Sequence, residues 1–239
     1  MHARYNGVFL NVVAFLAVAG ASGVVQASDP TEAAFNPDRT VAIRVDGEPA
    51  GTGSWLDANT VVTASHFFLN VRDREHVQVE VVWRGERYQA TLRNAENPAY
   101  IDASVLDIDG GGTNPVWRGA PLALCEDALQ AGQPVRVGLR NEQGIATLLR
   151  SYGSPDEMVM YQDRASSTAI TAFLKPGDSG ASVYDEAKGC MVGLVSLRQK
   201  VADDWAEVYT TKVVSISNLI KFLNEEGSSN PRDNKRQSN

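Results

Sequence analysis

Short runs of alternating apolar and polar residues, rich in Val, Ile and Tyr, recur along the chain from residue 40 onward. Such runs are typical of half-buried β-strands, and the Gly-, Pro- and Asp-rich stretches between them are typical of turns. Many short strands at this spacing indicate a sandwich or barrels. The clearest predicted strands are 41–45, 60–63, 77–82, 88–92, 135–139, 158–161 and 191–195.

Helical periodicity is found only near the end of the chain, over 215–226. There, Ser215 is a favourable N-cap and Gly227 a favourable residue to end the helix. The residues that follow, 228–239, are polar and are predicted to form a flexible tail. The i, i+3, i+4, i+7 spacing of an amphipathic helix is met by Ile216, Leu219, Ile220 and Leu223.

Residues 1–27 are typical of an export signal. Arg4 gives a positive start, a small and apolar stretch follows, and Val25-Gln26-Ala27 has the small-x-small pattern that signal peptidases recognise. We expect cleavage after Ala27, a linker over 28–39, and a secreted or periplasmic product with no membrane contact. A retained membrane anchor is the alternative, although glycine and serine dilute the last third of the segment.

The composition excludes several functional classes. With 239 residues, 43% of them hydrophobic and 21% charged, the chain can bury a sizeable core and does not have the composition of a disordered protein. A formal net charge of −7 and the lack of a basic cluster argue against a nucleic-acid partner. The stretch Asp107-Ile108-Asp109-Gly110 lacks the later ligands of a calcium loop, so we predict a turn there and no metal site.

Cys125 and Cys190 are the only cysteines of the chain. Export would allow them to form a disulfide, and both lie in strand-like stretches, 121–125 and 190–197. Two buried free thiols are the alternative.

Gly177-Asp178-Ser179-Gly180 is the most informative motif. A serine hydroxyl becomes a good nucleophile only when a base removes its proton and donors stabilise the resulting oxyanion. Glycines beside the serine allow backbone amides to converge on one point, although the same residues also suit an ordinary turn. The motif therefore needs a base and a carboxylate elsewhere in the chain.

His66 is the candidate base, because it follows the strand 60–63, whereas His2 belongs to the export signal and His76 has no evident activation. The candidate carboxylate is Asp102, at the start of an apolar strand, where burial would require a partner. Asp107 and Asp109 are alternatives that run into a glycine loop.

The order His66, Asp102, Ser179 distinguishes between hydrolase classes. An α/β-hydrolase has its histidine after the serine, and no histidine follows Ser179. The subtilisin order would need an aspartate before His66; Asp46 and Asp57 are available, but the chain lacks the alternating helices of that fold. On a strand-rich chain, the order is that of chymotrypsin.

Five segments closely resemble matching segments of the trypsin-like serine proteases, and the resemblance extends over about residues 40–226. It implies an all-β fold of two antiparallel six-stranded β-barrels, over 40–120 and 121–227, with a C-terminal α-helix in the second unit. The segments are Thr63-Ala64-Ser65-His66, Asp102-Ala103-Ser104-Val105-Leu106, Gly177-Asp178-Ser179-Gly180, Gly193-Leu194-Val195-Ser196 and Val208-Tyr209-Thr210.

The resemblance implies a catalytic triad of His66, Asp102 and Ser179. Ser179 would attack the scissile carbonyl, His66 would act as base and then acid, and Asp102 would orient His66. The amides of Gly177 and Ser179 would form the oxyanion hole. This chemistry needs no cofactor, and the implied partners are protein or peptide substrates and protein inhibitors.

By the same resemblance, four residues are candidates for substrate binding. Phe173 stands where trypsin has its pocket-floor aspartate, and its ring is predicted to fill the floor. Ser196 begins the strand that pairs with substrate, and its hydroxyl would support the triad carboxylate. Arg198 lies at the pocket rim. Glu207 lies on the pocket wall and would favour basic residues before the scissile bond, unless it is an ordinary surface-loop residue.

The chain also departs from the family pattern. No Ile-Val-Gly-Gly segment precedes Thr40, so Asp178 lacks its usual amino-terminal partner and the route of activation is open. The bond between Arg39 and Thr40 is either a processing point or part of the linker. The function predicted is that of a secreted serine endopeptidase. The alternatives are a catalytically silent binding protein of the same fold and an esterase using the same triad.

Overall fold

A computed structural model of the protein describes residues 36–69, 77–109, 116–141, 145–154, 168–202 and 207–228. Within these ranges the chain is almost entirely β, which confirms the predicted fold class. The strands are β1 (Thr40–Val45), β2 (Glu48–Trp55), β3 (Thr60–Thr63), β4 (Val79–Trp83), β5 (Glu86–Ala95), β6 (Ser104–Ile108), β7 (Pro134–Arg140), β8 (Ala146–Tyr152), β9 (Thr168–Ile170), β10 (Ser182–Asp185), β11 (Met191–Ala202) and β12 (Glu207–Ser215). The helix α1 spans Ile216–Ser228, and short 3-10 helices span Pro37–Arg39 and Ser65–Phe68.

Strands β1 to β6 form a closed antiparallel barrel in the order β1-β2-β3-β6-β5-β4. Trp55 and Trp117 are buried in its core, and the half-buried Trp83 packs edge to face against both rings, at centroid distances of 5.9 and 6.0 Å. Burial of these large rings contributes to the stability of the barrel. The predicted first barrel is therefore confirmed.

Strands β7 to β12 form a six-stranded antiparallel sheet in the order β8-β7-β10-β11-β12-β9. Its two outer strands meet at an isolated bridge between Gly153, just after β8, and Ile170 in β9. Beside the bridge, the Ser154 N–H donates to the Ala169 carbonyl at 2.8 Å. The second predicted barrel is thus a curled six-strand half-barrel whose outer strands join at this point.

The helix α1 covers the seam between the barrel and the half-barrel. Its side chains Ile216, Leu219 and Phe222 pack in one buried cluster with Val62 of β3 and Val214 of β12. The two halves therefore share a common core. No helix among the described residues is both long enough and apolar enough to span a membrane.

The ends of α1 agree only in part with the prediction. The Ser215 hydroxyl accepts a hydrogen bond from the Asn218 N–H at 3.4 Å, as expected of an N-cap. The expectation that Gly227 ends the helix is wrong, because the helix continues to Ser228. Helix ends fray, so a glycine in the last turn does not have to mark the final residue.

Two further groups of predictions concern the segment 121–125 and the residues outside the described ranges. The segment 121–125 is not a strand, since it contributes only an isolated bridge between Leu124 and Met191. The predicted strand 158–161, the export signal 1–27, His76 and most of the tail 228–239 lie outside the described residues, as does 28–35 of the linker.

Arg39 is built into the first barrel. Its guanidinium donates to the carbonyls of Trp55 at 2.9 Å and Ala120 at 2.7 Å, and lies over the Trp117 ring at 5.0 Å. Arg39 is 7% exposed and Thr40 is 1% exposed. Because a protease needs an accessible segment, this burial argues against processing between Arg39 and Thr40.

Cys125 and Cys190 form a disulfide with their Cα atoms 5.1 Å apart. The bond lies beside two backbone hydrogen bonds that hold the connecting segment against β11. The Cys125 N–H donates to the Met191 carbonyl at 2.9 Å, and the Met191 N–H donates to the Ala123 carbonyl at 2.8 Å. The disulfide prediction is confirmed, and neither cysteine is a free thiol.

Removing this disulfide should destabilise the protein. The bond closes a loop of 65 residues, for which the chain-entropy estimate is about 4 kcal/mol of unfolding free energy. We therefore expect the double variant Cys125→Ala/Cys190→Ala to unfold at a clearly lower urea concentration than the wild type. The reduced wild type should behave like the variant, and equal midpoints for oxidised and variant protein would contradict the prediction.

Candidate active site

Two paired strands of the barrel bring His66 and Asp102 together. Strands β3 and β6 are antiparallel neighbours in which Thr63 pairs with Ser104. His66 lies three residues beyond this pair, and Asp102 lies two residues before it, so both lie at the same end of the two strands. The turn of 3-10 helix at Ser65–Phe68 begins at this end, and the backbone amides of Ser65 and His66 in it donate to the Asp102 carboxylate.

The Asp102 carboxylate is 2% exposed and is surrounded by hydrogen-bond donors. Its Oδ1 accepts from the backbone amides of Ser65 and His66, each at 2.9 Å, and from the Ser65 hydroxyl at 3.1 Å. Its Oδ2 lies 2.8 Å from the His66 Nδ1 and 2.5 Å from the Ser196 hydroxyl. A buried carboxylate with this many partners can remain charged.

The partners of Asp102 decide its protonation. Burial alone would raise the pKa of this carboxyl, but the hydrogen bonds from His66 and Ser196 and the attraction of His66 outweigh it, so that the pKa lies below the usual value of an aspartate. Asp102 is therefore ionised at neutral pH and accepts a hydrogen bond from the Nδ1–H of His66. That bond leaves the Nε2 of the imidazole to take a proton from elsewhere.

The loop of Ser179 comes from the half-barrel and docks on the barrel that holds His66. The backbone N–H of Thr52 in β2 donates to the Ser179 carbonyl at 2.8 Å, and the Thr52 hydroxyl donates to the Gly177 carbonyl at 2.9 Å. On the half-barrel side, the Gly180 N–H donates to the Val195 carbonyl at 2.7 Å. The serine loop is thus anchored to both halves of the molecule.

Gly180 allows this close approach. It has a φ of +82°, and a Cβ at this position would overlap the Thr52 carbonyl oxygen and lie 3.1 Å from the backbone nitrogen of Ala64. The serine loop therefore rests directly on the chain segment that leads into His66. Only glycine satisfies both the backbone conformation and the space.

The residues before Ser179 form a tight turn. The Asp178 N–H donates to the Lys175 carbonyl at 3.1 Å, and Gly177 has a φ of +96° after Pro176. Proline followed by a left-handed glycine is typical of a type II turn. The Asp178 carboxylate accepts from the Lys175 N–H at 2.7 Å, so it has a partner within its own loop.

The four predicted substrate-binding residues lie in different settings. Ser196 is buried in β11 and donates to Asp102, whereas Phe173 is 60% exposed. The expectation that the Phe173 ring fills a pocket floor is therefore not met, because an exposed ring cannot close a cavity. For Arg198 and Glu207 the structure describes the backbone. Arg198 pairs with Thr211, and Glu207 pairs with Ala202. The two pairs lie four residues, or about 13 Å, apart along the hairpin of β11 and β12.

Sequence reasoning missed two residues of the site, Ser65 and Thr52. Ser65 precedes His66 in the motif 63–66, and a hydroxyl next to a candidate base could have indicated a donor to the triad carboxylate. Thr52 gave no comparable signal, because its partners Gly177 and Ser179 lie more than 120 positions away. Among the described residues, no group of His, Cys, Asp and Glu is arranged to hold a metal ion.

Solved structures of proteases share this fold. The Rv3671c protein from M. tuberculosis H37Rv, in a serine-to-alanine mutant described as an inactive form, has a TM-score of 0.60 and 23% identity over 85% of this chain and 93% of that chain. The Rv3671c protease in its inactive form has a TM-score of 0.58 and 23% identity over 83% and 93%. The HtrA-type protease AlgW with a decapeptide has a TM-score of 0.62 and 13% identity over 82% and 67%.

These comparisons establish the class of fold. The chain has the fold of the chymotrypsin-like serine proteases, as the sequence motifs predicted. In sequence, neither a protein-family model nor a curated protein matches it.

Proposed function

We propose that the protein is a serine endopeptidase. The observation that carries this proposal is the buried, ionised Asp102 bound to His66, with the loop of Ser179 docked on the same barrel. The solved structures of the same fold support this proposal, since they are structures of proteases. The His66 side chain is 32% exposed, which leaves it open to a substrate.

In the proposed reaction, the Ser179 Oγ attacks the carbonyl carbon of the scissile peptide while the His66 Nε2 accepts its proton. The ionised Asp102 stabilises the imidazolium that forms and keeps the ring oriented. His66 then protonates the leaving amine, which gives an acyl-enzyme and the first product. Water attacks the ester with His66 again as base, and Ser179 is released.

The Gly177 and Ser179 amides are suited to hold the oxyanion. Among the described residues, neither backbone N–H has a hydrogen-bond partner. Two donors on one short turn can stabilise the negative charge that develops on the substrate oxygen. We therefore assign them the role of the oxyanion hole.

We further propose that Glu207 favours basic residues before the scissile bond. The proposal is supported by the likeness of Val208-Tyr209-Thr210 to a wall of the trypsin pocket. A carboxylate in a partly desolvated pocket would attract Lys or Arg. Cleavage of a peptide library should show enrichment of basic residues that Glu207→Gln abolishes, and an acidic or small-residue preference in the wild type would contradict it.

The proposed setting is outside the cytosol, secreted or periplasmic. Residues 1–27 support export, and a disulfide such as Cys125–Cys190 persists in oxidising compartments. The partners would be protein or peptide substrates and protein inhibitors.

Labelling with a fluorophosphonate tests the proposed function. The wild type should react at Ser179 and should cleave an unstructured protein such as casein. A protein that does not react would be a silent binding module of the same fold. One that reacts but turns over only esters would be an esterase, and either result would overturn the endopeptidase proposal.

A further inference from the structure

Thr52 contacts the serine loop through two of its donor groups. Its hydroxyl donates to the Gly177 carbonyl at 2.9 Å, and its backbone N–H donates to the Ser179 carbonyl at 2.8 Å. Thr52 is fully buried and lies in the barrel, whereas the serine loop belongs to the half-barrel. One residue of the first half therefore anchors the carbonyls on both sides of Asp178.

We propose that Thr52 is a positioning residue that orients the Ser179 amide and holds the peptide next to the Gly177 amide, an inference that rests on the function proposed above. The peptide between Gly177 and Asp178 is planar, and its two polar groups are both held. Its carbonyl is bound by the Thr52 hydroxyl, and its N–H is bound by the Lys175 carbonyl at 3.1 Å. Rotation of this peptide would break both bonds.

The Ser179 side of the loop is restrained in the same way. The Ser179 carbonyl is held by the Thr52 N–H, so the peptide between Asp178 and Ser179 lies between two anchored neighbours. Its N–H, the Ser179 amide, then has little freedom to turn. Donors fixed in advance stabilise a developing charge better than donors that must reorient, because no reorganisation is needed at the moment of reaction.

Thr52 is itself braced by its neighbours. The Thr63 hydroxyl of β3 donates to the Thr52 carbonyl at 2.6 Å, and Gly180 packs against the same carbonyl. Thr52 is therefore a rigid point from which the oxyanion donors can be oriented. Its hydroxyl is the part that a substitution can remove while the backbone bond to Ser179 remains.

The test compares Thr52→Val, Thr52→Ser and a matched control, Thr40→Val. Valine has nearly the shape of threonine but no donor, and serine keeps the hydroxyl. The Thr40 hydroxyl is buried, and it has no hydrogen-bond partner among the described residues, so Thr40→Val removes a buried hydroxyl without breaking a bond. Rates are measured with a peptide substrate and normalised by fluorophosphonate titration of Ser179.

We expect Thr52→Val to lower kcat by roughly ten- to a hundredfold, less than the loss of a whole oxyanion donor, with KM within about twofold of the wild type. A peptide boronate, which resembles the tetrahedral intermediate, should bind more weakly by a similar factor. Thr52→Ser should restore kcat to within about threefold, and Thr40→Val should leave it unchanged.

A Thr52→Val enzyme with wild-type kcat, or one altered only in KM, would overturn the inference. So would a loss of kcat in Thr52→Ser equal to that in Thr52→Val. If Thr52→Val does not fold by circular dichroism, Thr52→Ala takes its place with the same expected kcat. A wild type that neither reacts with the fluorophosphonate nor cleaves peptides would instead refute the proposed function.

Discussion

Replacing Ser179 by alanine is expected to lower kcat for peptide hydrolysis about a million-fold while the protein remains folded. The reason is that the proposed nucleophile is the side-chain hydroxyl, whereas the contacts that hold the loop use backbone groups. The Ser179 carbonyl is bound by Thr52, and the neighbouring Gly180 N–H is bound by Val195. Alanine keeps these bonds and removes only the oxygen. Steady-state cleavage of a peptide by both proteins checks the loss of activity, and their thermal unfolding checks that the variant remains folded.

Ser217→Ala is a suitable control for this substitution. Ser217 lies on the exposed face of α1, where its hydroxyl is 3.1 Å from the Ser215 hydroxyl. We expect this variant to keep wild-type activity and to react with the fluorophosphonate. A Ser179→Ala protein with activity within tenfold of the wild type would contradict the proposed nucleophile.

Replacing Asp102 by asparagine is expected to lower kcat about ten-thousandfold near neutral pH. In the wild type, one carboxylate oxygen accepts hydrogen bonds from the backbone amides of Ser65 and His66, and the other accepts one from the His66 ring. If asparagine keeps its oxygen toward the backbone amides, its NH₂ group faces the Nδ1 of His66. The ring must then carry its proton on Nε2, and it cannot accept the proton of Ser179. Measurement of kcat over a range of pH checks this expectation.

Asp107→Asn provides the matched control. Asp107 is one of the two alternative aspartates that the sequence allowed, with Asp109, but it forms an ion pair with Arg93 on the outside of the barrel. The variant should therefore retain wild-type kcat. An equal loss of activity in both variants would show that the assignment of Asp102 is wrong.

The strands that lead into His66 and out of Asp102 were the easiest to predict. Strands β3 and β6 are short apolar runs with β-branched residues, so the sequence indicated both and the residues at their ends, His66 and Asp102, as candidates. Strand β2 was not predicted, because its glycines and Pro49 resemble a turn. It is held as a strand by pairing with β1 and β3, and local composition does not report such long-range pairing.

The burial of single side chains was harder to predict. An arginine before the first strand was compatible with a linker or a processing point, and only the contacts of Arg39 with Trp55 and Trp117 distinguish the two. An aromatic residue in a pocket-floor position was expected to be enclosed, whereas Phe173 is exposed. In both cases the outcome depends on what packs around the side chain.

The amino-acid sequence alone determined the kinds of chemical groups present, their order along the chain and the strands that carry them. These properties depend on side-chain period and turn residues, which act over a few positions. The tertiary structure decided which carboxylate meets His66, how Ser196 reaches it and how Thr52 holds the serine loop. The hydrogen bonds concerned join residues 36, 94 and 125 positions apart. The bond between His66 and Asp102 forms when β3 and β6 pair within the barrel, and the other two form only when the barrel and the half-barrel pack together. No local pattern brings these donors and acceptors into contact.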